Sequence, residues 1–347
     1  MKMNRLGRTD IEVSALCLGT MTWGTQNTAD HACAQIARCE EAGLNFMDTA
    51  EMYPVTPLSK ETQGDTERCI GEWVKRGGNR DKWVIATKVS GSGYMNVRDG
   101  APISKATMTA ALEASLTSMN TDYVDLYQLH WPNRGSYMFR QNWNYDPTGQ
   151  DTPQVAEHME EVLEFADELV KAGKIRAIGL SNESCWGAMN WVRMAEEKGL
   201  PRMASVQNEY SMLCRMFDTD MAEMAHHEHV GLLAFSPLAT GYLTGKYRNG
   251  AVPEGSRRDI QAHRDSRGTD RCHEAVEAYA ALADAHGLNL TQMSLAFCMQ
   301  RPFMTSTIFG ATKMDQLEEI LGAKDLVLSD EVMAEINRIN RAIPMPY

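Results

Sequence analysis

Short apolar or β-branched runs alternate along the chain with longer stretches in which apolar residues recur every three or four positions. The first pattern suits buried strands and the second amphipathic helices, and their alternation is the rhythm of βαβ units around a parallel sheet. Strands are predicted at Leu44–Asp48, Trp83–Lys88, Tyr123–His130, Ile175–Ser181, Ala204–Asn208, Gly231–Phe235 and Ser306–Phe309, with a weaker eighth near Leu326–Leu328. Between them Ala29–Ala42, Thr66–Arg76, Lys105–Met119, Val155–Ala172, Cys185–Lys198, Asp218–His229 and Met314–Leu321 carry the helical period and are long enough to be crossovers. Eight strands with intervening helices close naturally into a (β/α)8 barrel of the α/β class. A doubly wound sheet competes, but no Gly-x-Gly-x-x-Gly turn follows the first strand.

The opening stretch Met3–Leu18 reads as a β-hairpin: Gly7-Arg8-Thr9-Asp10 supplies turn residues between Met3–Leu6 and Ile11–Leu16. Such a hairpin suits a plug for one end of the barrel. No linker composition divides the rest, so one barrel domain over residues 1–347 is expected, with 1–18 as its N-terminal hairpin. Longer polar inserts follow the first predicted strand (Pro54–Asp65), the third (Pro132–Pro153) and the sixth (Tyr247–Arg271), as expected of enlarged loops at the C-terminal face where barrel enzymes build their sites.

Composition narrows the partners. A hydrophobic content of 43% over 347 residues can build a large core, and a formal net charge of -12 argues against nucleic acid or an acidic membrane surface. No apolar run reaches the eighteen or so residues of a bilayer span, and MKMNRLGRTDIEVS lacks a signal peptide's apolar stretch, so a cytoplasmic location is expected. The eight cysteines form no C-x-x-C pair and are expected to be reduced thiols. His226, His227, Glu228 and His229 point around a helix rather than converge, so no metal site is expected there. The 23 methionines suit core gaps better than copper.

In a (β/α)8 barrel the strand ends carry the chemistry. Here they deliver Asp48 with nearby Tyr53, then Lys88, His130, Ser181 with Asn182, Gln207 and Ser236. A buried Asp–Lys–Tyr cluster has an evident use: Lys88 lowers the phenol pKa of Tyr53, and Asp48 holds and balances the lysine. The phenol can then protonate a carbonyl oxygen while hydride arrives at the carbon, with His130 orienting that oxygen. Singly, Asp48 reads as a helix cap, Lys88 as an exposed strand end and His130 as a satisfied core histidine. Their joint appearance at successive strand ends favours the chemical reading.

The strings Asp48-Thr-Ala-Glu-Met-Tyr53, Ala86-Thr-Lys88, Leu126-Tyr-Gln-Leu-His130, Ile178-Gly-Leu-Ser-Asn182 and Val206-Gln-Asn208 resemble, in order and spacing, the successive motifs of the aldo-keto reductase superfamily. Ala50-Glu-Met-Tyr-Pro54, Glu61-Thr-Gln-Gly64, Leu129-His-Trp-Pro132 and Gly310-Ala-Thr-Lys-Met-Asp-Gln-Leu317 resemble its bacterial Tas-type reductases. The resemblance implies Tyr53 as general acid–base, Lys88 and Asp48 as its tuning partners and His130 as the orienting residue. It implies NADP(H) as cofactor, with NAD(H) as the alternative, and a small carbonyl or alcohol substrate. The nicotinamide is then expected near Ser181, Asn182 and Gln207, against Phe235 where the family usually has tyrosine. Pyrophosphate and ribose are expected along Ser236, Pro237, Leu238 and Gly241 to Lys246, with Arg257 as a further phosphate partner. The adenosine end is expected near Gly310, Thr312, Gln316 and Glu319, and Thr20, Trp23 and Asp48 complete the expected contacts.

Two departures bear on the cofactor. Ile320 stands where the motif usually ends in asparagine, which removes an amide expected to meet the adenine. Lys313 suits a 2′-phosphate, but no arginine stands at Gln316. Trp23, Tyr53, Trp131, Tyr137, Phe139 and Trp143 are candidate pocket-lining aromatics. Besides a reductase, the resemblance admits a cofactor-binding regulatory module like potassium-channel β-subunits, while a metal-dependent hydrolase would need more strand-end histidines and carboxylates than His130 and Asp48. A homo-oligomer is compatible with the sequence but not specified by it.

Overall fold

The computed structural model describes residues 1–347, the side chain of Arg264 apart. Two short antiparallel strands, β1 (Met3–Arg5) and β2 (Glu12–Ser14), form the expected hairpin. Eight parallel strands follow: β3 (Leu16–Gly19), β4 (Phe46–Asp48), β5 (Val84–Val89), β6 (Val124–Leu129), β7 (Ile175–Ser181), β8 (Met203–Glu209), β9 (Gly231–Phe235) and β10 (Met304–Phe309). They close in chain order into a barrel, β10 pairing back onto β3 through Thr307–Leu16 and Phe309–Leu18.

The barrel is the predicted one, but its strand count of eight was reached through two compensating misreadings. The first barrel strand is Leu16–Gly19, which the sequence pattern runs together with the hairpin because Ile11–Leu18 is nearly continuous in apolar residues. Leu326–Leu328 is not a strand; it precedes the helix Asp330–Ala342. The three enlarged loops therefore follow the second, fourth and seventh barrel strands, β4, β6 and β9. Helices Lys105–Met119, Cys185–Lys198 and Met314–Leu321 match the predicted bounds. The helix Thr152–Lys171 begins three residues early because Asp151 accepts from the Gln154 amide at 3.0 Å and Pro153 is tolerated in a first turn. Three further helices, Asp270–Ala285, Leu290–Met299 and Asp330–Ala342, cover the last part of the barrel.

Two cores result. Cys17, Phe46, Ala86, Leu126, Ala177, Ala204, Leu233 and Ile308 point inward from the eight strands, and Leu6, Ile11 and Val13 of the hairpin pack on them. The hairpin thus plugs the N-terminal end of the barrel. At its turn Gly7 has φ +58°, and a Cβ there would meet the Ala204 carbonyl oxygen at 2.5 Å, so the turn can press onto β8 only as glycine. A second, larger core lies between the barrel's outer face and the helices. With one end plugged, the C-terminal end is left to the loops. Among the described residues no helix is long and apolar enough to cross a membrane.

Candidate active site

Asp48 ends β4, Lys88 lies near the end of β5, and His130 directly follows β6, so parallel pairing brings them to one rim. Lys88 Nζ, fully buried, donates to Asp48 Oδ2 at 2.6 Å and to the Thr49 carbonyl oxygen at 2.7 Å. Asp48 Oδ1 accepts from Gln128 Nε2 at 3.1 Å and from Gln207 Nε2 at 2.8 Å. The carboxylate is thereby fixed by three side chains from three strands. Tyr53 leans over this group: Lys88 Nζ lies 4.8 Å from its ring centroid, and its ring meets His130 edge-on at 5.8 Å. The four predicted residues are together.

Burial pushes the Tyr53 phenol above its ordinary value, and the Lys88 charge pulls against that rise without cancelling it. The expected lowering by Lys88 is present as a contribution, but the net shift is upward because the floor of the site is poorly hydrated. Burial works against the Lys88 ammonium too, yet Asp48 and the Tyr53 hydroxyl outweigh it, so its pKa is raised. His130 is pushed well below the ordinary imidazole value by burial and then by Lys88, and is neutral. Its Nδ1 has no hydrogen-bond partner among the described residues.

The cluster opens into a cavity of about 630 Å³. Asn182, at φ +53°, turns off β7 with Nδ2 donating to the His130 carbonyl oxygen at 2.9 Å, while its Oδ1 is buried without a partner among the described residues. Thr20, Gln207, Phe235, Ser236, Pro237 and Leu238 continue the wall. Gly241 has φ +102°, and a Cβ on it would lie 2.5 Å from Lys246 Cε, so the lysine is seated against bare backbone. Lys246 carries no ion pair among the described residues, and burial lowers its pKa. Beyond it lie Gly310, Thr312, Gln316, Glu319 and Ile320, with Lys313 at the edge. Gln316 Oε1 accepts from the Thr312 amide at 3.0 Å.

Two expected contacts do not reach the cavity. Trp23 is wholly buried in the outer core, its indole N–H donating to Gln35 at 3.0 Å. Ser181 is off the cavity wall, its hydroxyl committed to the Gln207 carbonyl oxygen at 2.9 Å. Among the aromatics, Trp131 and Phe139 line the opening, whereas Tyr137 packs on Tyr145 and Trp143 is exposed to solvent. Among the described residues no group of three or more His, Cys, Asp or Glu side chains is set to hold a metal ion.

Sequence reading missed Gln128, although it sits two positions before His130 on the same inward face of an apolar strand. It also missed an outer cluster. Glu209, ending β8, pairs with Arg267 at 2.5 Å and Arg140 at 3.3 Å, and accepts from the Tyr347 hydroxyl at 3.0 Å. Glu209 closes a strand, whereas Arg140, Arg267 and Tyr347 come from separate segments outside strands and helices, with no local pattern to join them.

Comparisons with known proteins agree with this geometry. The Aldo/keto reductase family model matches residues 15–341. Protein tas of Escherichia coli is 41% identical over 349 residues, covering 100% of this chain and 99% of its own length. The uncharacterized oxidoreductase YrpG of Bacillus subtilis is 29% identical, covering 98% of this chain and 96% of its own. A probable voltage-gated potassium channel subunit beta of Arabidopsis thaliana is 28% identical, covering 99% and 98%.

Proposed function

The chain belongs to the aldo/keto reductase family, and from that premise we propose that it is an NADP(H)-dependent reductase of aldehydes or ketones with Tyr53 as general acid. The observation that carries the reading is the convergence of Tyr53, Lys88, Asp48 and His130 at the floor of one cavity.

The residues present fit a nicotinamide dinucleotide. The unpartnered Asn182 Oδ1 and the Gln207 amide suit a carboxamide, Phe235 offers a ring face, and Gly241 with the unpaired Lys246 suits a pyrophosphate. When bound, the reduced nicotinamide supplies a hydride to the carbonyl carbon. The Tyr53 hydroxyl gives its proton to the carbonyl oxygen, yielding an alcohol and leaving a phenolate. Lys88 stays an ammonium and stabilises that phenolate; Asp48 holds Lys88 in reach of it. Neutral His130 orients the oxygen without competing as an acid. Trp131, its ring 4.9 Å from that of His130, gives the reacting end an apolar wall.

Preference for NADP(H) over NAD(H) rests on Lys313 at the cavity edge. A titration of tryptophan fluorescence with NADPH and NADH, followed by simple aldehydes and the cofactor's near-ultraviolet absorbance, tests the reading. Binding with aldehyde-dependent oxidation supports it, and no binding of either nucleotide overturns it.

The likeness to a channel β-subunit over nearly the whole chain favours one alternative, a cofactor-binding regulatory module. Slow turnover on every carbonyl with stable association to a membrane channel supports that role; fast steady-state turnover excludes it as the main one.

A further inference from the structure

Asn182 lines the same cavity as Gly241, Lys246 and Arg257, and its backbone lies in the left-handed region at φ +53°. Asparagine tolerates that region better than most residues, but it stays there only where its surroundings leave no alternative. Here they form a clamp. On the β8 side the Gln207 carbonyl oxygen accepts from the Asn182 amide at 2.9 Å. Asn208 holds the next residue twice, its Oδ1 accepting from the Glu183 amide at 3.1 Å and its Nδ2 donating to the Glu183 carbonyl oxygen at 2.9 Å. On the other side, in the loop after β6, the Ser136 hydroxyl donates to the Asn182 carbonyl oxygen at 2.7 Å.

Arg134, two residues earlier in that loop, closes the clamp with both ends of its fork on Glu183: Nη1 donates to Oε2 at 3.0 Å, and Nη2 donates to Oε1. The two side chains are 7% and 1% exposed. The Trp186 ring lies 5.2 Å from the guanidinium, and a Cβ on Gly187 would overlap both Arg134 Nη2 and Glu183 Oε1, so the helix Cys185–Lys198 leaves room for the pair by having no side chain there. A buried ion pair adds little to a fold, since desolvation offsets most of its attraction. What this one does is fix a position. It ties the residue next to Asn182 to the loop that leaves the rim at His130 and Trp131.

Asn182 Nδ2 is committed to the His130 carbonyl oxygen, which leaves Oδ1 as the free acceptor, buried and without a partner among the described residues. Resting on the reductase reading above, we propose that Arg134 and Glu183 are positioning residues for the cofactor. Neither lines the cavity; together they hold Asn182 Oδ1 where the N–H of a nicotinamide carboxamide can donate to it. A guanidinium fork on a carboxylate suits this task because its two parallel bonds fix orientation as well as distance.

The test compares, by calorimetric titration, NADP+ with its 3-acetylpyridine analogue, in which a methyl ketone replaces the carboxamide and no N–H remains to meet Asn182. Taking the ratio of the two dissociation constants within each protein cancels any general loosening of the site. The wild type should favour NADP+ by about five-fold or more, the contribution of roughly one hydrogen bond, and Asn182→Ala should bring the ratio to within about two-fold of one. Arg134→Met should do the same, although Arg134 lies outside the cavity. Arg134→Lys, which keeps the charge and loses the fork, should fall between, as should Ser136→Ala. A brace that serves the fold alone would weaken both nucleotides equally, so a ratio unchanged from the wild type in the Arg134 variants overturns the proposal. A wild-type ratio near one overturns it too, as does a ratio that Asn182→Ala leaves unchanged. Should Arg134→Met fail to fold, Arg134→Lys and Ser136→Ala decide in its place, and a wild-type ratio in both is the overturning result. Binding of neither nucleotide to the wild type fails the reductase reading and takes the proposal with it, whereas a wild type that binds NADP+ beside variants that keep its ratio fails the proposal alone.

Discussion

Lys88 and Asp48 meet at 2.6 Å inside the barrel rim, the lysine fully buried and the carboxylate 3% exposed. A buried pair of this kind is costly to break because the surviving charge stays desolvated. Lys88→Met should lower stability by about 3–5 kcal/mol and cut carbonyl turnover by roughly 10²–10⁴. Adding Asp48→Asn to it should recover part of the stability and none of the activity. Denaturant titration of both proteins beside their kinetics checks this; equal stability of the single and double variants would mean that the pair is not what holds the rim.

Tyr53→Phe should retain NADPH binding and lose turnover by about 10²–10⁴. The pH profile carries a further expectation. The phenol is raised above its ordinary value and His130 lies well below its own, so neither titrates between about pH 7 and pH 9. Carbonyl reduction should therefore run nearly flat across that window. A fall in kcat/KM centred there assigns the acid to another group.

The four rim residues were legible in the sequence for a physical reason: Asp48, Lys88 and His130 are polar groups at or beside the ends of apolar strands, and Tyr53 follows Asp48 by five residues in the loop after β4. Gln128 lies inside its strand rather than at the end, and there the sequence does not set it apart from Asp125, another buried polar residue of the same strand. Arg140, Glu209 and Arg267 were not legible, because 58 residues separate Glu209 from Arg267 and only loop geometry unites them. Trp23 misled in the other direction, since an aromatic residue near a strand end looks the same whether it lines a cavity or fills the core. The strand Leu16–Gly19 was hidden by its fusion with the hairpin run: only Ala15 separates it from β2, too little polar punctuation to mark the boundary.

Glu67 gives a stability prediction. Its carboxyl is buried beneath β5, accepting from the Thr87 hydroxyl at 2.6 Å, and burial pushes its pKa from 4.5 up to about 7. The folded state therefore holds the proton more tightly than the unfolded chain. This contribution is fully present below pH 4.5 and lost as pH rises through about 7. Glu67→Gln keeps the acceptor and removes the titration, so at pH 8 it should be more stable than the wild type by about 3 kcal/mol. The advantage should vanish near pH 4. Thermal melts at both values test it; a pH-independent difference would point to packing rather than ionisation.

Lys313 is exposed at the start of the helix Met314–Leu321 and borders the cavity. If it meets a 2′-phosphate, Lys313→Glu should weaken NADPH binding by about ten-fold or more and leave NADH binding within about two-fold. Equal effects on both nucleotides would remove Lys313 from cofactor selection.

Ile320 borders the same end of the cavity and is 3% exposed, packed into the outer core. Its side chain meets both the core and the region expected to take the adenine, and the two demands oppose each other. Ile320→Asn offers an amide to the base but exchanges buried hydrocarbon for a polar group, at a cost of about 2 kcal/mol to the fold. The expected result is a lower melting temperature without cofactor together with NADPH binding tighter by roughly five-fold, the yield of about one net hydrogen bond. Fluorescence titration and a melting curve separate the two effects. A less stable variant with unchanged affinity would mean that the adenine does not reach Ile320, and that the isoleucine serves the core alone.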